Sequence, residues 1–352
     1  MHDFVFHMRM PRVVFGAGAL QHVRREVEAI GAERALVLST PGQAALAERV
    51  VALLGEHAAG VFSQAAMHVP VETVSAAQDV VQGVDANCLI AIGGGSTTGL
   101  AKALALDSGV PVIAIPTTYA GSEMTTMYGL TEGGTKRTGR DAAVLPRCVI
   151  YDPELSLGLP FGITLASAIN AIAHAAEGLY APDGNPVVDL FAEEGIRKIA
   201  AALPRLQQNP RDIAARGDAL VGAWMCGTVM GSITVGLHHK LCHTLGGSFG
   251  LPHAELHTVM LPHALAYNAP AVPAAMQKIA AALQASSAPA GVFDLAARHG
   301  AATSLQAIGM SSSDLDRAAD LAMQNTYPNP VPLQRVRLRE LLQRAWEGTR
   351  PD

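Results

Sequence analysis

The sequence predicts an α/β domain with a parallel sheet over residues 1–155, followed by an all-helical domain over residues 156–352. Three observations support this fold class. The length of 352 residues corresponds to about two domains of typical size. The first part alternates short apolar runs with amphipathic stretches, whereas the second shows helical periodicity almost throughout. Hydrophobic residues make up 49% of the chain and charged residues 16%, so the chain can form two buried cores.

The predicted strands of the first part are short and apolar along their whole length, which is typical of strands covered on both faces. They span residues 13–15, 35–39, 60–63, 88–92 and 112–115. Amphipathic stretches lie between them at residues 20–30, 44–54 and 71–81, and in a segment that ends at 106. Apolar strands that alternate with helices predict a parallel sheet with helices on both faces.

After Asp152-Pro153-Glu154 the pattern changes to the 3.6-residue period of amphipathic helices. These helices are predicted at residues 170–179, 187–206, 213–230, 274–283 and 333–346. Prolines such as Pro204 and Pro262 are predicted to mark joints between helices. The Ala- and Pro-rich stretch at 285–291 is predicted to be a loop.

The composition argues against several classes of protein. The 25 basic and 30 acidic residues give a net charge of -5, which does not suit a nucleic acid or an anionic membrane as partner. The four cysteines form no CxxC unit and indicate reduced thiols. The N-terminus lacks the features of a signal peptide, and the most apolar region, 89–115, is interrupted by glycines and charges. We therefore expect a cytoplasmic protein without a membrane span.

A glycine-rich turn joins the strand at 88–92 to the following helix, with Gly93, Gly94, Gly95 and Ser96 in sequence. Glycine lets the backbone approach a ligand, and the free N–H groups of a helix N-terminus attract a phosphate. The alternative is an ordinary strand-to-helix turn with a serine cap. The turn is not the GxGxxG fingerprint, and it follows a later strand rather than the first.

The next strand ends in a second polar loop that contains Thr117, Thr118 and Ser122. Open α/β sheets bind ligands beyond the carboxyl ends of their strands, where these hydroxyls suit a pyrophosphate or a nicotinamide amide. A capped helix start is again the alternative. Two adjacent loops of this kind favour a dinucleotide site.

The loop after the strand at 35–39 bears on the choice of dinucleotide. Ser39, Thr40 and Pro41 stand where an acidic side chain would bind the adenosine ribose and repel a 2′-phosphate. Because no acid is present, we expect Ser39 to contribute to a permissive site that accepts both NADH and NADPH.

Histidines are concentrated in one stretch of the second part: six of the thirteen lie between His238 and His263. His239 and His243 are four residues apart, as are Asn170 and His174 upstream, so each pair shares one helical face. Single histidines on helices are mostly packing or solvated residues. This density, together with the paired spacing, favours a functional site.

With these residues the chain resembles the iron-containing (group III) alcohol dehydrogenase family over essentially its whole length. The motifs that carry the resemblance are FGAG at 15–18, GGGS at 93–96 with AK at 101–102, PTT at 116–118, DPEL at 152–155, HAAE at 174–177 and the block with His239, His243 and His253. The resemblance implies a dinucleotide-binding domain, a helical domain, an active site in the cleft between them and a homodimer.

Within that family the chain looks most like the branch that reduces the carbon–carbon double bond of maleylacetate to 3-oxoadipate in the degradation of aromatic compounds. Its phrases at 95–102, 118–125, 237–243 and 251–255 carry this likeness. The implied substrate is a small dianion, chloromaleylacetates included. Three alternatives stay open: a metal-dependent alcohol or hydroxyacid dehydrogenase, a lyase-type relative that uses NAD transiently, and a nucleotide-binding regulator without turnover.

The resemblance also implies where a metal would be held and why we expect none. The family's metal is bound by one aspartate and three histidines, and the histidine positions match His174, His239 and His253. Asn170 stands at the aspartate position, and a neutral amide is a poor ligand. Gly99 likewise replaces an acid that is common after the glycine turn.

The resemblance and the expected chemistry together suggest roles for the remaining polar residues. His243 matches the family's non-ligand active-site histidine and is the expected proton donor, with His253 and His174 polarising the substrate oxygen. The expected partners of the substrate carboxylates carry positive charge or can acquire it; they are His239, Lys240, Lys136 and Arg140, with Asn170 as a further substrate contact.

Overall fold

The computed structural model describes residues 4–133 and 135–352, without the side chains of Thr135 and Lys136. The chain divides into two compact units. One contains Arg9–Leu159 together with Arg211–Leu220, and the other contains Pro160–Pro210 and Val221–Asp352 with the N-terminal residues up to Met8. Neither unit is therefore one continuous stretch of sequence.

The first unit is built on a parallel sheet, as the sequence predicts. Its six strands in the described residues lie in the order β1-β8-β5-β4-β2-β3, and every pairing is parallel. They are β1 (Arg12–Phe15), β2 (Ala35–Leu38), β3 (Ala58–Phe62), β4 (Cys88–Gly93), β5 (Val112–Pro116) and β8 (Cys148–Tyr151). Because all run the same way, their carboxyl ends meet at one edge.

Alternate residues of the central strands enter two separate cores. One face packs Val37, Ile90 and Ile113 against α1 (Val23–Ala29) and α2 (Ala44–Leu54). The other face packs Leu36 and Leu89 against α3 (Val71–Gly83) and α4 (Gly95–Ser108). The two-residue period of a strand explains this division, and burial on both faces explains why the strands are apolar throughout.

Three strands were not predicted from the sequence. β6 (Met127–Glu132) and β7 (Thr135–Arg140) form an antiparallel hairpin, which is only half-buried or exposed and therefore lacks an apolar run. β8 is fully buried between β1 and β5.

The second unit is helical in its described residues, which confirms the predicted fold class. Its helices are α5 (Phe161–Gly178), α6 (Pro186–Gln208), the later part of α7 (Ile213–Ser232), α8 (Leu237–Phe249), α9 (His253–Asn268), α10 (Pro273–Leu283), α11 (Ala288–Arg298), α12 (Leu315–Ala322) and α13 (Arg335–Glu347). Leucine, valine and methionine side chains of α8 and α9 pack with α12 and α13 into one core.

Proline misled the prediction of helix boundaries in this unit. Pro204 and Pro262 lie inside α6 and α9 instead of at joints. The predicted loop at 285–291 is wrong from Ala288 onward, because α11 begins there. The Ser287 side chain accepts a hydrogen bond from the Ala290 N–H, and Pro289 stands in the first turn, where a missing N–H costs nothing.

Among the described residues, no single helix has the length and apolar composition needed to cross a membrane. α7 and α8 together meet these two criteria, but the pair is bent by 95°.

Candidate active site

The glycine-rich turn has the backbone form of a ligand-binding loop. Gly93 ends β4 with φ +149°, and a Cβ there would lie 2.6 Å from Gln43 Oε1 and collide with Thr97. Only glycine fits this position. α4 begins at Gly95, so the amides of Gly95 and Ser96 belong to its first turn and are free of intrahelical partners.

The second polar loop lies beside the first. The Thr117 N–H donates to the Gly93 carbonyl at 2.9 Å, and the Thr118 side chain lies next to Gly94. Thr117 is buried, and its hydroxyl accepts from Gln43 Nε2 at 2.8 Å. Thr118 is half-buried and adjoins the turn, which makes it the more accessible of the two hydroxyls.

Ser39 is not placed as the sequence suggested. It is fully buried, and its hydroxyl donates to the Thr40 carbonyl at 3.2 Å and shares a second hydrogen bond with the Ser63 hydroxyl, at 2.9 Å between the two Oγ atoms. Its side chain is therefore committed to protein partners rather than to a ribose. Thr40 and Gln43, both half-buried, take its place as the polar side chains at this strand end.

The loop that carries Ser122 is fixed by a buried lysine. The Lys102 ammonium donates to the Ser122 carbonyl at 2.6 Å, the Thr125 carbonyl at 2.7 Å and the Met127 carbonyl at 2.8 Å, and it also contacts Thr125 Oγ1. Burial lowers the pKa of Lys102 to about 7, against the opposing attraction of Glu123. Ser122 takes part in these contacts through its backbone carbonyl.

Two of the family motifs, FGAG at 15–18 and DPEL at 152–155, are connected to each other by hydrogen bonds. The Asp152 carboxylate accepts the N–H groups of Gly18 at 3.1 Å, Leu20 at 3.0 Å and Glu154 at 3.0 Å. It thereby joins the turn after β1 to the turn after β8, and both motifs are explained without a ligand.

Gly99 is required by packing. A Cβ at Gly99 would lie 2.7 Å from Val69 Cγ2, so an acidic side chain cannot enter without moving Val69. Val69 itself has φ +52°, an uncommon conformation for a β-branched residue.

In the helical unit, α5, α8 and α9 bring six histidines together. His174 and His239 stack with ring centroids 5.3 Å apart and an interplanar angle of 25°. His239 lies 6.1 Å from His243 and 5.2 Å from His257 between ring centroids. The His257 ring also contacts the rings of His253 and His238, with centroids 4.5 Å and 4.8 Å away. The predicted histidines thus form one cluster, and His238 and His257, which the sequence analysis assigned no role, belong to it.

Glu177 of α5 anchors this cluster. Its carboxylate accepts the N–H groups of Gly236 and His238, each at 2.8 Å, and His239 Nδ1–H at 2.7 Å. The first two bonds satisfy donors at the start of α8. The third fixes the His239 ring and leaves its Nε2 facing the cluster as the free nitrogen.

His243 is held by a tyrosine from a distant loop. Its Nδ1 lies 3.0 Å from the Tyr327 hydroxyl, and the Lys240 ammonium stands 5.8 Å from the Tyr327 ring centroid. Burial raises the pKa of Tyr327. The phenol therefore stays protonated near neutral pH and can donate to His243.

Burial also keeps the inner histidines neutral. It lowers the pKa of His174, His238 and His257 well below the ordinary value, and the neighbouring imidazoles add to the effect. Several buried polar atoms of the cluster have no hydrogen-bond partner among the described residues; they are Asn170 Oδ1, His174 Nδ1, His238 Nδ1, His239 Nε2 and His257 Nε2. Such a concentration of unpaired atoms indicates a place for a polar ligand.

The predicted carboxylate partners are distributed between the two units. Lys240 is half-buried and belongs to the histidine cluster through Tyr327. Arg140 is exposed on β7 of the sheet unit. Lys136 lies on the same strand, and its side chain is outside the described residues.

Sequence reasoning gave no role to Glu177, His238, His257 or Tyr327. A signal existed for two of them: Glu177 ends the HAAE motif three residues after His174, and His257 follows His253 by one helical turn. Tyr327 is 84 residues from His243, a separation at which spacing carries no information.

Comparisons with known proteins agree with this architecture. The iron-containing alcohol dehydrogenase model matches residues 11–153, and the model for the C-terminal part of that family matches residues 164–346. A maleylacetate reductase from Burkholderia cepacia is 62% identical over 351 residues, which cover 100% of both chains.

Solved structures give the same result. A maleylacetate reductase from Agrobacterium tumefaciens is 52% identical with a TM-score of 0.96, and 100% of each chain is covered. An iron-containing alcohol dehydrogenase from Corynebacterium glutamicum is 38% identical with a TM-score of 0.95, with coverage of 100% of this chain and 99% of that one. The chain belongs to the iron-containing alcohol dehydrogenase family.

Proposed function

We propose that this oxidoreductase reduces the carbon–carbon double bond of maleylacetate to give 3-oxoadipate, with NADH or NADPH as the reductant. The full-length identity of 62% to a maleylacetate reductase supports this proposal. The observation that carries it within the structure is the cluster of buried, neutral imidazoles with unpaired atoms, in which Asn170 replaces an acidic ligand.

The sheet unit fits the dinucleotide. Gly93 permits close approach of a ligand, and the α4 N-terminus offers free amides to a pyrophosphate. Gly94, Thr118 and the accessible polar groups at the end of β2 complete the candidate contacts. When bound, NAD(P)H supplies a hydride to the carbon β to the ketone, so the residues of this chain must bind two carboxylates, stabilise an enolate oxygen and protonate the α carbon.

The donor set does not fit the metal that the family name implies. Asn170 offers only a neutral oxygen beside His174, so the four family positions hold three imidazoles and lack the anionic ligand of the family pattern. In the described residues, the one group of three candidate ligand atoms that lie within 4.8 Å of one another belongs to His238, Cys242 and His257, not to the family positions. We therefore derive no step from a metal.

His243 is the proposed proton donor. Because Tyr327 stays protonated, its O–H donates to His243 Nδ1, and the ring proton of neutral His243 then lies on Nε2. The Nε2 proton passes to the α carbon, where the electron pair of the enolate forms the new C–H bond. At the same time Nδ1 takes the hydroxyl proton of Tyr327, so the ring stays neutral and the negative charge moves to the phenolate, which solvent reprotonates.

The substrate carboxylates need cationic or N–H partners. Lys240 is the proposed partner within the helical unit, since its ammonium lies over the Tyr327 ring and is only partly withdrawn from solvent. His239 is a second proposed partner, because the Glu177 carboxylate at Nδ1 holds its ring in a fixed orientation.

The proposal is tested by following NADH oxidation with maleylacetate, chloromaleylacetates, aldehydes and 2-oxoacids in parallel. We expect turnover with the first two only, unaffected by a chelator. His243→Ala should lower kcat by roughly 100-fold, the usual contribution of a positioned acid, and Tyr327→Phe by less. Faster turnover of aldehydes, or activity that is lost to chelator and restored by zinc or iron, would contradict the proposal.

The other expectations from the sequence stay predictions: a cytoplasmic location, a homodimer, and no nucleic acid or membrane as partner.

A further inference from the structure

Two buried histidines of the cluster have no role in the chemistry described so far. His238 is 0% exposed and His257 is 1% exposed, and His238 Nε2 lies 2.8 Å from His257 Nδ1. Neither stands at a position of the family's metal pattern. Their outer nitrogens, His238 Nδ1 and His257 Nε2, have no partner among the described residues.

The distance between the two inner nitrogens fits a hydrogen bond better than a shared metal ion. Two imidazole nitrogens on one tetrahedral zinc ion, each at about 2.0–2.1 Å, would stand roughly 3.3 Å apart. The observed 2.8 Å is instead the length of an N–H···N hydrogen bond, with Cys242 Sγ farther away at 3.7 Å from His238 Nε2. This geometry is that of two ring nitrogens that share one proton.

This shared proton links the tautomers of the two neutral rings. If His238 Nε2–H donates, then His257 Nδ1 accepts, and the ring proton of His257 must lie on Nε2. If the bond runs the other way, His257 Nε2 becomes a lone pair. The direction of one buried bond thus decides whether His257 offers a donor or an acceptor to the cluster.

We propose that His257 donates its Nε2–H to the ketone oxygen of the substrate as that oxygen becomes an enolate, and that His238 is the positioning residue that holds His257 in the donor tautomer. This inference rests on the proposed function. Oxygen atoms of a ketone and of ionised carboxylates only accept hydrogen bonds, so a ring that meets the substrate there must present N–H.

The surroundings of His257 favour the ketone oxygen over a carboxylate. Its ring contacts four other imidazoles, those of His174, His238, His239 and His253. A buried neutral donor gains most where negative charge develops during the reaction, as in an oxyanion hole. An already ionised carboxylate is better matched by a cation such as Lys240.

The variants separate the two roles. His257→Leu removes the donor, and kcat should fall by roughly 100-fold with little change in KM, as for loss of one oxyanion donor. His238→Leu should also lower kcat, by at least about tenfold, because His257 is then free to adopt either tautomer. His238→Gln places an amide N–H near the former Nε2 and should restore most of the activity.

Cys242→Ala is the matched control. It removes the other side chain near His238 Nε2 without touching the N–H···N bond, so kcat should change by less than about threefold. Thermal unfolding of each variant shows whether it is folded. A folded His257→Leu enzyme with normal kcat would overturn the proposal, as would equal losses in His238→Leu and His238→Gln.

A readout without turnover keeps this inference separate from the proposed function. In protein with 15N-labelled histidine, NMR should show wild-type His257 as the Nε2–H tautomer and a mixture of tautomers in His238→Leu. Observation of the Nδ1–H tautomer in the wild type would overturn the inference even if maleylacetate is reduced. If the tautomers are as expected but maleylacetate is not reduced, the proposed function is wrong, and so is the assignment of the His257 donor to a ketone oxygen.

Discussion

At the scale of single residues, Asn170 bears most directly on the expectation that the enzyme works without a metal. It is 5% exposed, and its Oδ1 has no partner among the described residues. A carboxylate at this position would attract a cation and favour protonation or metal binding of the nearby imidazoles. The amide does neither, and burial lowers the pKa of His174, which lies one helical turn away.

Asn170→Asp tests this view. The variant should bind zinc at least about tenfold more tightly than the parent, since an anionic ligand is restored one helical turn from His174. Added zinc should then slow maleylacetate reduction by the variant, because metal ligands must be deprotonated. Zinc retention after dialysis and NADH oxidation measure the two effects.

The parent enzyme is the control and should be indifferent both to zinc and to chelator. If the parent instead loses activity with chelator, Asn170 acts as a ligand and the interpretation fails.

At the scale of elements, Lys102 shows how a buried charge fixes a loop. α4 carries this lysine in its interior, and the loop after β5 folds around the ammonium with its carbonyl oxygens. The pKa of Lys102 falls to about 7 because burial disfavours the charged form more than Glu123 favours it. Titration of Lys102 should therefore make the free energy of unfolding depend on pH.

The direction of that dependence follows from the protons bound. Between about pH 7 and the unfolded value of 10.5, the unfolded chain keeps the Lys102 proton while the folded chain has lost it. The free energy of unfolding should then rise with pH in this window, by at most about 1.4 kcal/mol per pH unit. Below pH 7 both states are protonated, and this contribution is constant.

Lys102→Met removes the titrating group at similar length. Urea unfolding of the wild type and the variant at several pH values should show the slope in the wild type only. Equal pH dependence in both would mean that the surrounding carbonyls hold the ammonium charged throughout.

The end of β2 leads to a prediction about the dinucleotide. Ser39 is occupied by protein partners, and the residues that follow it carry no acid. We expect both NADH and NADPH to support turnover, with kcat/KM values within about 1000-fold, or about 4 kcal/mol. Steady-state kinetics with each dinucleotide measures the ratio, and a larger preference would show that another residue discriminates the ribose.

At the scale of the whole molecule, β1 forms one edge of the sheet, and Phe15 at its end is 43% exposed. An open edge with an apolar side chain can pair with a second chain. We expect a homodimer that sediments at twice the chain mass of 36.6 kDa. Sedimentation equilibrium over a dilution series measures this, and a monomer at all concentrations would contradict it.

The sequence by itself determined the fold class and pointed to most of the histidines that the structure brings together. Continuous apolar strands predicted the parallel sheet, and the helix predicted at 44–54 is found as Ala44–Leu54. The four-residue spacing of His239 and His243 placed both on one helix, α8. These features follow from local periodicity, because burial of one face repeats along the chain at the period of the backbone.

Tertiary structure alone decided how the histidines are oriented and what they can do. Glu177 holds His239 across 62 residues, and Tyr327 holds His243 across 84. The same packing turned the Ser39 hydroxyl inward and joined His238 to His257. A hydrogen bond between distant residues depends on where two elements meet and on which tautomer each ring adopts. Neither leaves a periodic pattern in the sequence, because both are set by packing between helices rather than by the order of residues within one.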